Sequence, residues 1–504
     1  MTQKLINHRK TPVLQLHLVS LAEPLGLKNK RAFSRQTHWQ LNKKAKCIAV
    51  SAIIALVVIS SFAVLYLEKP KTDITIGPQN NNSTSTPNPT ATSNQTKSAG
   101  PLPNLGSFLS GISQAIQEIV QPKSPGIIES AQTINSTVWK EVAAAAWNFF
   151  QPGVGVDKNT GLPYGGGKDY PDFTGWDLGV YIQTVIDAQK IGLINATGAW
   201  GTDARIEKVL TFLETRPLNE TTHYPFWFYN ATNGQDDHQQ SDYATTPVDI
   251  VDTGVLLVAL NNLRDFNGSY ATQINNIVLN GAATPNGGSN YTAVLSTIEN
   301  AASSNNIYSY LITSGFASFW PQQVGYVPNQ ILSNIVNSPS VTSPYGNITL
   351  PDAPVTCDPL LLSVFNLGND SRLTNYMYQV YTAHEAYFNA TKQYVAFSEG
   401  NSPLNGYTYE WVVAPNGSMW QITNEDQTIY YTSSPVIYTK VAFSFLALYN
   451  STFARNMAVF LEQKIPTPIT GYCAGYSYGD GTDSQMDSNT NGIIIQAALY
   501  AIQK

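Results

Sequence analysis

Two phrases in this chain open apolar, helix-patterned stretches in the same way: Trp176-Asp177-Leu178-Gly179 and Val251-Asp252-Thr253-Gly254. An Asp at a helix start sits where free N–H groups and the helix dipole favour negative charge. The Gly two residues on costs helix propensity, so something must approach the backbone there. Further acids lie beside aromatic residues or turns: Asp249, Asp358 after Cys357, Glu399 in Phe397-Ser398-Glu399-Gly400, and Glu410 next to Trp411. Paired carboxyl groups with aromatic faces are what glycosidic-bond hydrolysis requires, one group on each side of the scissile bond and rings as sugar platforms. Asp177, Asp252 and Glu399 are the candidate catalytic acids. Trp176, Asp249, Glu410 and Trp411 are candidate sugar contacts. Each also has a structural reading. Asp177 and Asp252 suit helix capping, and Glu410 alternates with Tyr409 and Trp411 as a solvated strand carboxylate would.

Other motifs carry less chemistry. Asp487-Ser488-Asn489-Thr490-Asn491-Gly492 copies the first half of a calcium loop, but its twelfth position is Ala498 and it runs into an apolar helix. It reads as a helix N-cap cluster. Asp157-Lys158-Asn159-Thr160-Gly161 fails in the same way, with Lys168 at the twelfth place. Neither a serine nucleophile elbow nor a phosphate loop is present, and no Cys/His spacing suggests zinc, so no cofactor is expected.

The elements that must position these residues are mostly helices. Helical periodicity covers Val138–Phe150, Trp176–Ile191, Arg205–Thr215, Ile250–Leu263, Asn306–Phe319, Arg372–Phe388, Pro435–Tyr449, Thr452–Lys464 and Thr490–Ile502. Long Gly-, Pro- and Asn-rich connections are unlike a simple bundle. They suit an all-α (α/α)6 toroid-like domain whose inner helices present their starts to a shared cavity. Two segments read as strands, His223–Tyr229 and a hairpin from Tyr407–Val413 through Pro415-Asn416-Gly417 to Met419–Gln421.

The N-terminal part is different. Residues 1–46 carry ten Lys/Arg against one acid, Glu23, whereas the chain beyond residue 67 has 18 basic and 33 acidic residues. No basic patch for nucleic acid is expected there. Residues 47–67 hold no charge and are long enough to cross a bilayer, which takes about 20 residues. Lys43, Lys44 and Lys46 before them put the N-terminus inside, with the rest extracellular. Asn-x-Ser/Thr occurs fourteen times, always beyond that segment, as a glycoprotein ectodomain would have it. Charged residues make up only 12% of the chain, and uncharged polar residues stand in for them, which suits an archaeal cell surface. The expected order is a basic cytoplasmic segment (1–46), a transmembrane anchor contacting the lipid bilayer (47–67), a disordered Ser/Thr/Asn/Pro-rich stalk (68–104), an amphipathic helix and linker (105–127) and the toroid (128–504). Cys357 and Cys473 are the cysteines of the outer part, either a long-range disulfide or two buried thiols.

Six stretches together resemble, in order, the glucoamylase-like domain catalogued as domain of unknown function 3131. They are Ala145-Trp147-Phe149 with Asp157–Leu162, Thr174–Gly179, Val251–Gly254, Ala396–Gly400, Tyr438–Phe443 and Asn489–Tyr500. The resemblance covers about residues 135–504. It implies a six-hairpin toroid related to glycosidases and a carbohydrate partner, and it adds Lys440 and Asn491 to the candidate site. One departure stands out. Cys473-Ala474-Gly475 replaces the family's usual Tyr-Glu-Gly. If that Glu is a catalytic acid, Asp480 or Asp483 must substitute, or the protein binds glycan without cleaving it.

Overall fold

The computed structural model describes residues 125–168, 170–237 and 249–504. Twelve helices alternate between two rings. The outer ones are α1 (Ser136–Trp147), α3 (Thr202–Thr215), α5 (Ala271–Val278), α7 (Val327–Val336), α9 (Ser371–Thr391) and α11 (Thr452–Lys464). The inner ones are α2 (Gly175–Ile191), α4 (Ile250–Phe266), α6 (Ile307–Phe319), α8 (Cys357–Asn366), α10 (Thr439–Tyr449) and α12 (Ser488–Gln503). Composition decides which ring a helix joins. Helix α3 buries Arg205, Ile206, Val209, Leu210, Phe212 and Leu213, one stripe at helical spacing. Helix α10 buries every residue from Thr439 to Leu448, as a helix apolar on all sides must. The inner ring closes where α12 packs on α2.

The seam between α2, α4 and α6 depends on small residues. A Cβ at Gly179 would lie 2.9 Å from the backbone of Val255 and Leu256, and one at Gly254 would lie 2.6 Å from Ile312 Cα. The Gly of the repeated Asp-x-Gly phrase is therefore where the next inner helix touches its neighbour's backbone. At the same end a Cβ on Gly175 would meet the Asp252 carbonyl carbon at 2.9 Å, so the starts of α2 and α4 are in contact.

Long loops at the N-terminal ends of the inner helices carry small sheets. Strands β1 (Asp172–Phe173) and β2 (Tyr229–Asn230) pair, as do β3 (Ser340–Thr342) and β4 (Thr349–Pro351). The expected hairpin forms as β6 (Gly406–Val413) and β7 (Met419–Thr423), with Glu410 opposite Ile422 and Trp411 opposite Gln421. It is the middle of a four-stranded antiparallel sheet completed by β5 (Glu399–Ser402) and β8 (Tyr430–Tyr431). A three-stranded sheet joins β9 (Val436–Tyr438), β10 (Gly475–Ser477) and β11 (Gly481–Asp483). The β-structure is thus more extensive than one hairpin.

Three expectations need correction or placement. Of the aromatic run His223–Tyr229 only Tyr229 lies in a strand. Pro225 has no N–H to give a ladder, and the Tyr229 hydroxyl folds back to accept from Phe226 N at 3.0 Å and donate to the Pro217 carbonyl at 2.8 Å. Cys357 and Cys473 are both free and buried, so the disulfide does not form. The basic segment, the proposed anchor at 47–67, the stalk and nearly all of the 105–127 segment lie outside the described residues. Among the described residues no helix is long and apolar enough to cross a membrane.

Replacing Gly254 with Ala should test the seam. Overpacking at a backbone contact should lower unfolding free energy by about 1–3 kcal/mol in chemical denaturation. Gly268→Ala is the control, because a Cβ there meets nothing within 4 Å.

Candidate active site

The second residue of five inner helices faces one cluster: Trp176 (α2), Tyr308 (α6), Asp358 (α8), Lys440 (α10) and Asn489 (α12). They are linked in sequence. Trp176 Nε1 donates to Asn489 Oδ1 at 3.4 Å, and Asn489 Nδ2 donates to Asp358 Oδ2 at 2.7 Å. Lys440 pairs with the same Asp358 oxygen. The Trp176 and Tyr308 rings lie 6.1 Å apart, and the Tyr308 hydroxyl donates to Glu399 Oε2 at 2.5 Å. Asp177 and Asp252 both occupy the third residue of their helices.

Asp177 is not the N-cap. Thr174 caps α2, and Asp177 Oδ2 reaches back to accept from Thr174 N at 3.1 Å, a capping-box arrangement. Its other oxygen accepts from the Ser488 hydroxyl at 2.6 Å, which ties α2 to the start of α12. Asp249 is the N-cap of α4, accepting from Val251 N at 2.9 Å and Asp252 N at 3.0 Å. Asp252 is held in turn by the Thr174, Asp249 and Trp227 side chains.

Burial governs the electrostatics. It pushes Asp177 up to about 6, with Asp252 and Asp487 adding to the rise and the hydrogen bonds from Ser488 and Thr174 opposing it. Burial pushes Glu399 further, to about 8, with Asp358 and Asp252 adding and Lys440 and Tyr308 opposing. Asp249 and Asp252 are raised for the same reason, and the Asp252 charge adds to the rise at Asp249. The Asp252 charge thus acts on both Asp177 and Glu399, so the three sequence-predicted acids share one electrostatic environment. Burial works against the Lys440 ammonium, but Asp358, Asp487 and Glu399 hold its pKa above the usual lysine range.

Several predicted contacts have other duties. Glu410 is not a solvated strand residue. It is 1% exposed, and its Oε1 accepts from Val436 N at 2.8 Å, pinning the strand that leads into Lys440. Burial raises its carboxyl well above the usual range, opposed by the hydrogen bond from Val436, and its duty is structural. Trp411 is fully buried and donates to the Thr423 hydroxyl at 3.1 Å. It backs Tyr409, whose ring is stacked on it at 5.8 Å and 15°, and cannot itself meet a sugar. Asn491 is also fully buried, accepting from Tyr472 N at 2.7 Å and donating to the Tyr472 carbonyl at 3.0 Å. It fixes the loop before β10. Asp483 accepts from Gln485 N at 2.9 Å and Asp480 lies 3.5 Å from the Ser477 hydroxyl. Neither is among the main charges acting on Asp177, Asp252 or Glu399. Asp487 caps α12, as expected for an N-cap cluster.

Sequence reasoning did not single out Tyr308, Ser488 or Asn489 for the site, nor His384. The His384 ring is buried in α9, its Nδ1 2.8 Å from the Val380 carbonyl, and its Nε2 accepts from Phe397 N at 3.1 Å. Burial lowers its pKa to about 4, which keeps it neutral. A neutral ring donating through Nδ1 holds the backbone two residues before Glu399. It is a positioning residue. Among the described residues no cluster of His, Cys, Asp and Glu suits a metal ion.

The model of the family described as protein of unknown function (DUF3131) matches residues 141–504. The chain belongs to that family. No curated protein matches it in sequence. The fold of the DUF3131 domain is shared by glycoside hydrolases. An endo-β-1,2-glucanase from Talaromyces funiculosus, in complex with sophorose, is similar with a TM-score of 0.52 at 14% identity over 75% of this chain and 89% of that one. A mutant of the same enzyme with β-1,2-glucan gives 0.51 at 14%, over 75% and 89%. A β-1,2-glucanase from Parabacteroides distasonis gives 0.50 at 11%, over 74% of this chain and 57% of that one.

The buried ion pair makes a sharp stability prediction. Lys440→Met leaves Asp358 buried without its partner and should cost about 3–5 kcal/mol by denaturant titration. Lys440→Met with Asp358→Leu should recover most of that loss, since the uncompensated charge is gone.

Proposed function

We propose that this DUF3131 domain is a glycoside hydrolase acting on a glucan or cell-envelope glycan, with β-1,2-linked glucan the first substrate to try. The observation that carries this reading is that the Asp252 charge acts on both Asp177 and Glu399, whose carboxyls are raised to different degrees. Environment-split carboxyls mark acid and base roles. Glu399, raised to about 8, keeps its proton at neutral pH and serves as general acid to the leaving oxygen. Asp177, raised to about 6, is ionised there and held rigidly by Ser488 and Thr174, as a base or nucleophile must be. Asp252 orients a sugar hydroxyl or the attacking water. Tyr407 and Tyr409, whose hydroxyls feel the Glu399 charge, supply the ring faces intended for Trp411. The buried Oδ1 of Asp358 has no hydrogen-bond partner and can accept from a sugar hydroxyl. Only changes made in the transition state speed the reaction, and proton transfer from Glu399 is such a change. We also propose that residues 47–67 anchor the protein with this domain outside the cell, on the strength of that uncharged segment and the lysines before it.

A second reading has one observation in its favour. Ala474 stands where the family usually has Glu, and neither Asp480 nor Asp483 replaces it at the cluster. A toroid that binds glycan without cleaving it would look like this.

The full chain should be incubated with β-1,2-glucan and a panel of other glucans while new reducing ends are counted. The rate should rise as pH passes about 6, where Asp177 loses its proton, and fall as it passes about 8, where Glu399 loses its own. Glu399→Gln and Asp177→Asn should each slow turnover by about 10²–10⁴-fold, and the residual Glu399→Gln rate should lack the upper limb. Hydrolysis untouched by Asp177→Asn would refute the assignment. Binding without cleavage across the panel would establish the second reading.

A further inference from the structure

At the opposite end of the inner ring, where the helices finish, lies a cavity of about 430 Å³. That volume falls within the roughly 300–1,000 Å³ of small-molecule pockets. Helices α2, α4, α8 and α12 contribute to it, so four helix C-termini converge there. Its floor is polar and buried: Gln183 is 6% exposed, Asp187 3% and Gln496 2%. The amides form a directed relay. Asn262 Nδ2 donates to Gln183 Oε1 at 2.9 Å, and Gln183 Nε2 donates to Asp187 Oδ1 at 2.9 Å. Asn366 Nδ2 donates to Gln496 Oε1 at 3.1 Å. The relay ends on an unused donor, because Gln496 Nε2 is buried with no partner. A buried donor left unpaired costs about 1–3 kcal/mol. Phe365 and Tyr500, with centroids 5.7 Å apart, add ring surface at the side of the cavity.

We propose that this cavity is a second binding site, for a small neutral sugar of one or two units, remote from the carboxylate cluster. The chemistry selects the class. A hydroxyl accepts from Gln496 Nε2 and donates to the Asp187 carboxylate, whereas a cation faces the Gln496 N–H and the Lys190 ammonium, which lines the cavity 4.0 Å from Asp187 Oδ1 and already offsets that charge. An anion would gain Lys190 but meet Asp187, Asp265 and four helix C-termini, all unfavourable to negative charge. Pyranose rings stack their C–H faces on aromatic rings, and Phe365 and Tyr500 offer that surface. The site sits at the other end of the helices that carry Trp176, Asp177, Asp252, Asp358 and Asn489, so occupancy would brace the ring that positions them. The inference stands whether or not the carboxylate cluster cleaves glycan.

The test is equilibrium binding of glucose and sophorose to the full chain carrying Glu399→Gln, which slows turnover, and to the same chain with Gln496→Leu or Tyr500→Ala. We expect two classes of site for sophorose. Either added substitution should weaken one class by at least about tenfold, about 1.4 kcal/mol, and leave the other unchanged. Tyr500 is partly exposed, so Tyr500→Ala keeps the test alive if Gln496→Leu fails to fold. In the otherwise unaltered chain, Tyr500→Ala should leave the rate on β-1,2-glucan unchanged at low substrate. One class of site that ignores both substitutions, or no binding at millimolar sugar, overturns the proposal. So does stabilisation by spermidine or sodium in place of sugar. No hydrolysis by the unaltered chain, with the second class of site intact, would count against the carboxylate assignment alone.

Discussion

The closeness of the inner helices is the constraint from which the rest follows. Backbone contact between α2 and α4 at Gly179, and between α4 and α6 at Gly254, leaves no room for even a methyl group. Close packing of this kind brings six helix starts to one small region. It aligns their dipoles so that the positive ends face a common space. Carboxylates placed there gain from the dipoles and lose more from burial, which is why Asp177 and Glu399 end above the usual acid range. Geometry and proton affinity therefore come from the same cause.

The cluster is also a keystone. Asp358 receives Lys440 from α10 and Asn489 from α12, and Asn489 receives Trp176 from α2. Tyr308 from α6 meets Glu399 from β5. One polar network therefore spans four of the six inner helices, and the contact between the Trp176 and Tyr308 rings joins it to the Tyr308–Glu399 pair. Its members can be oriented only after the ring has closed. Outside it lies a supporting layer: Glu410 pins Val436, His384 pins Phe397 and Asn491 pins Tyr472. The backbone that Glu410 and His384 serve leads to Lys440 and Glu399, and Asn491 holds the loop before β10.

What was readable in the sequence is what depends on local pattern. The Asp177 and Asp252 phrases, the β6–β7 hairpin, the N-cap at Asp487 and most helices follow from spacing, capping and turn residues. The acids at the site were readable for the same reason, since helix starts and turns announce themselves. The partners of those acids were not. Asn489 and Asp358 are 131 residues apart, and Ser488 and Asp177 are 311 apart. Nothing in either segment encodes the other, because ring closure makes the contact. Burial was misread at Glu410 and Trp411 because strand alternation predicts one solvated face. Strand β6 has neighbours on both faces, with β9 reached through Val436 and α6 through Tyr308. Lys440 reads as a sugar contact in a motif, but its charge is spent on Asp358.

The central claim is that burial beside the inner-helix starts keeps Glu399 protonated at neutral pH while Asp177 is ionised. Carbon-detected NMR titration of side-chain carboxyl-labelled protein, with Glu399→Gln and Asp177→Asn used to assign the two resonances, measures this directly. The account predicts that Asp177 titrates near 6 and Glu399 near 8. A Glu399 signal that titrates near 4.5, at or below Asp177, would contradict it.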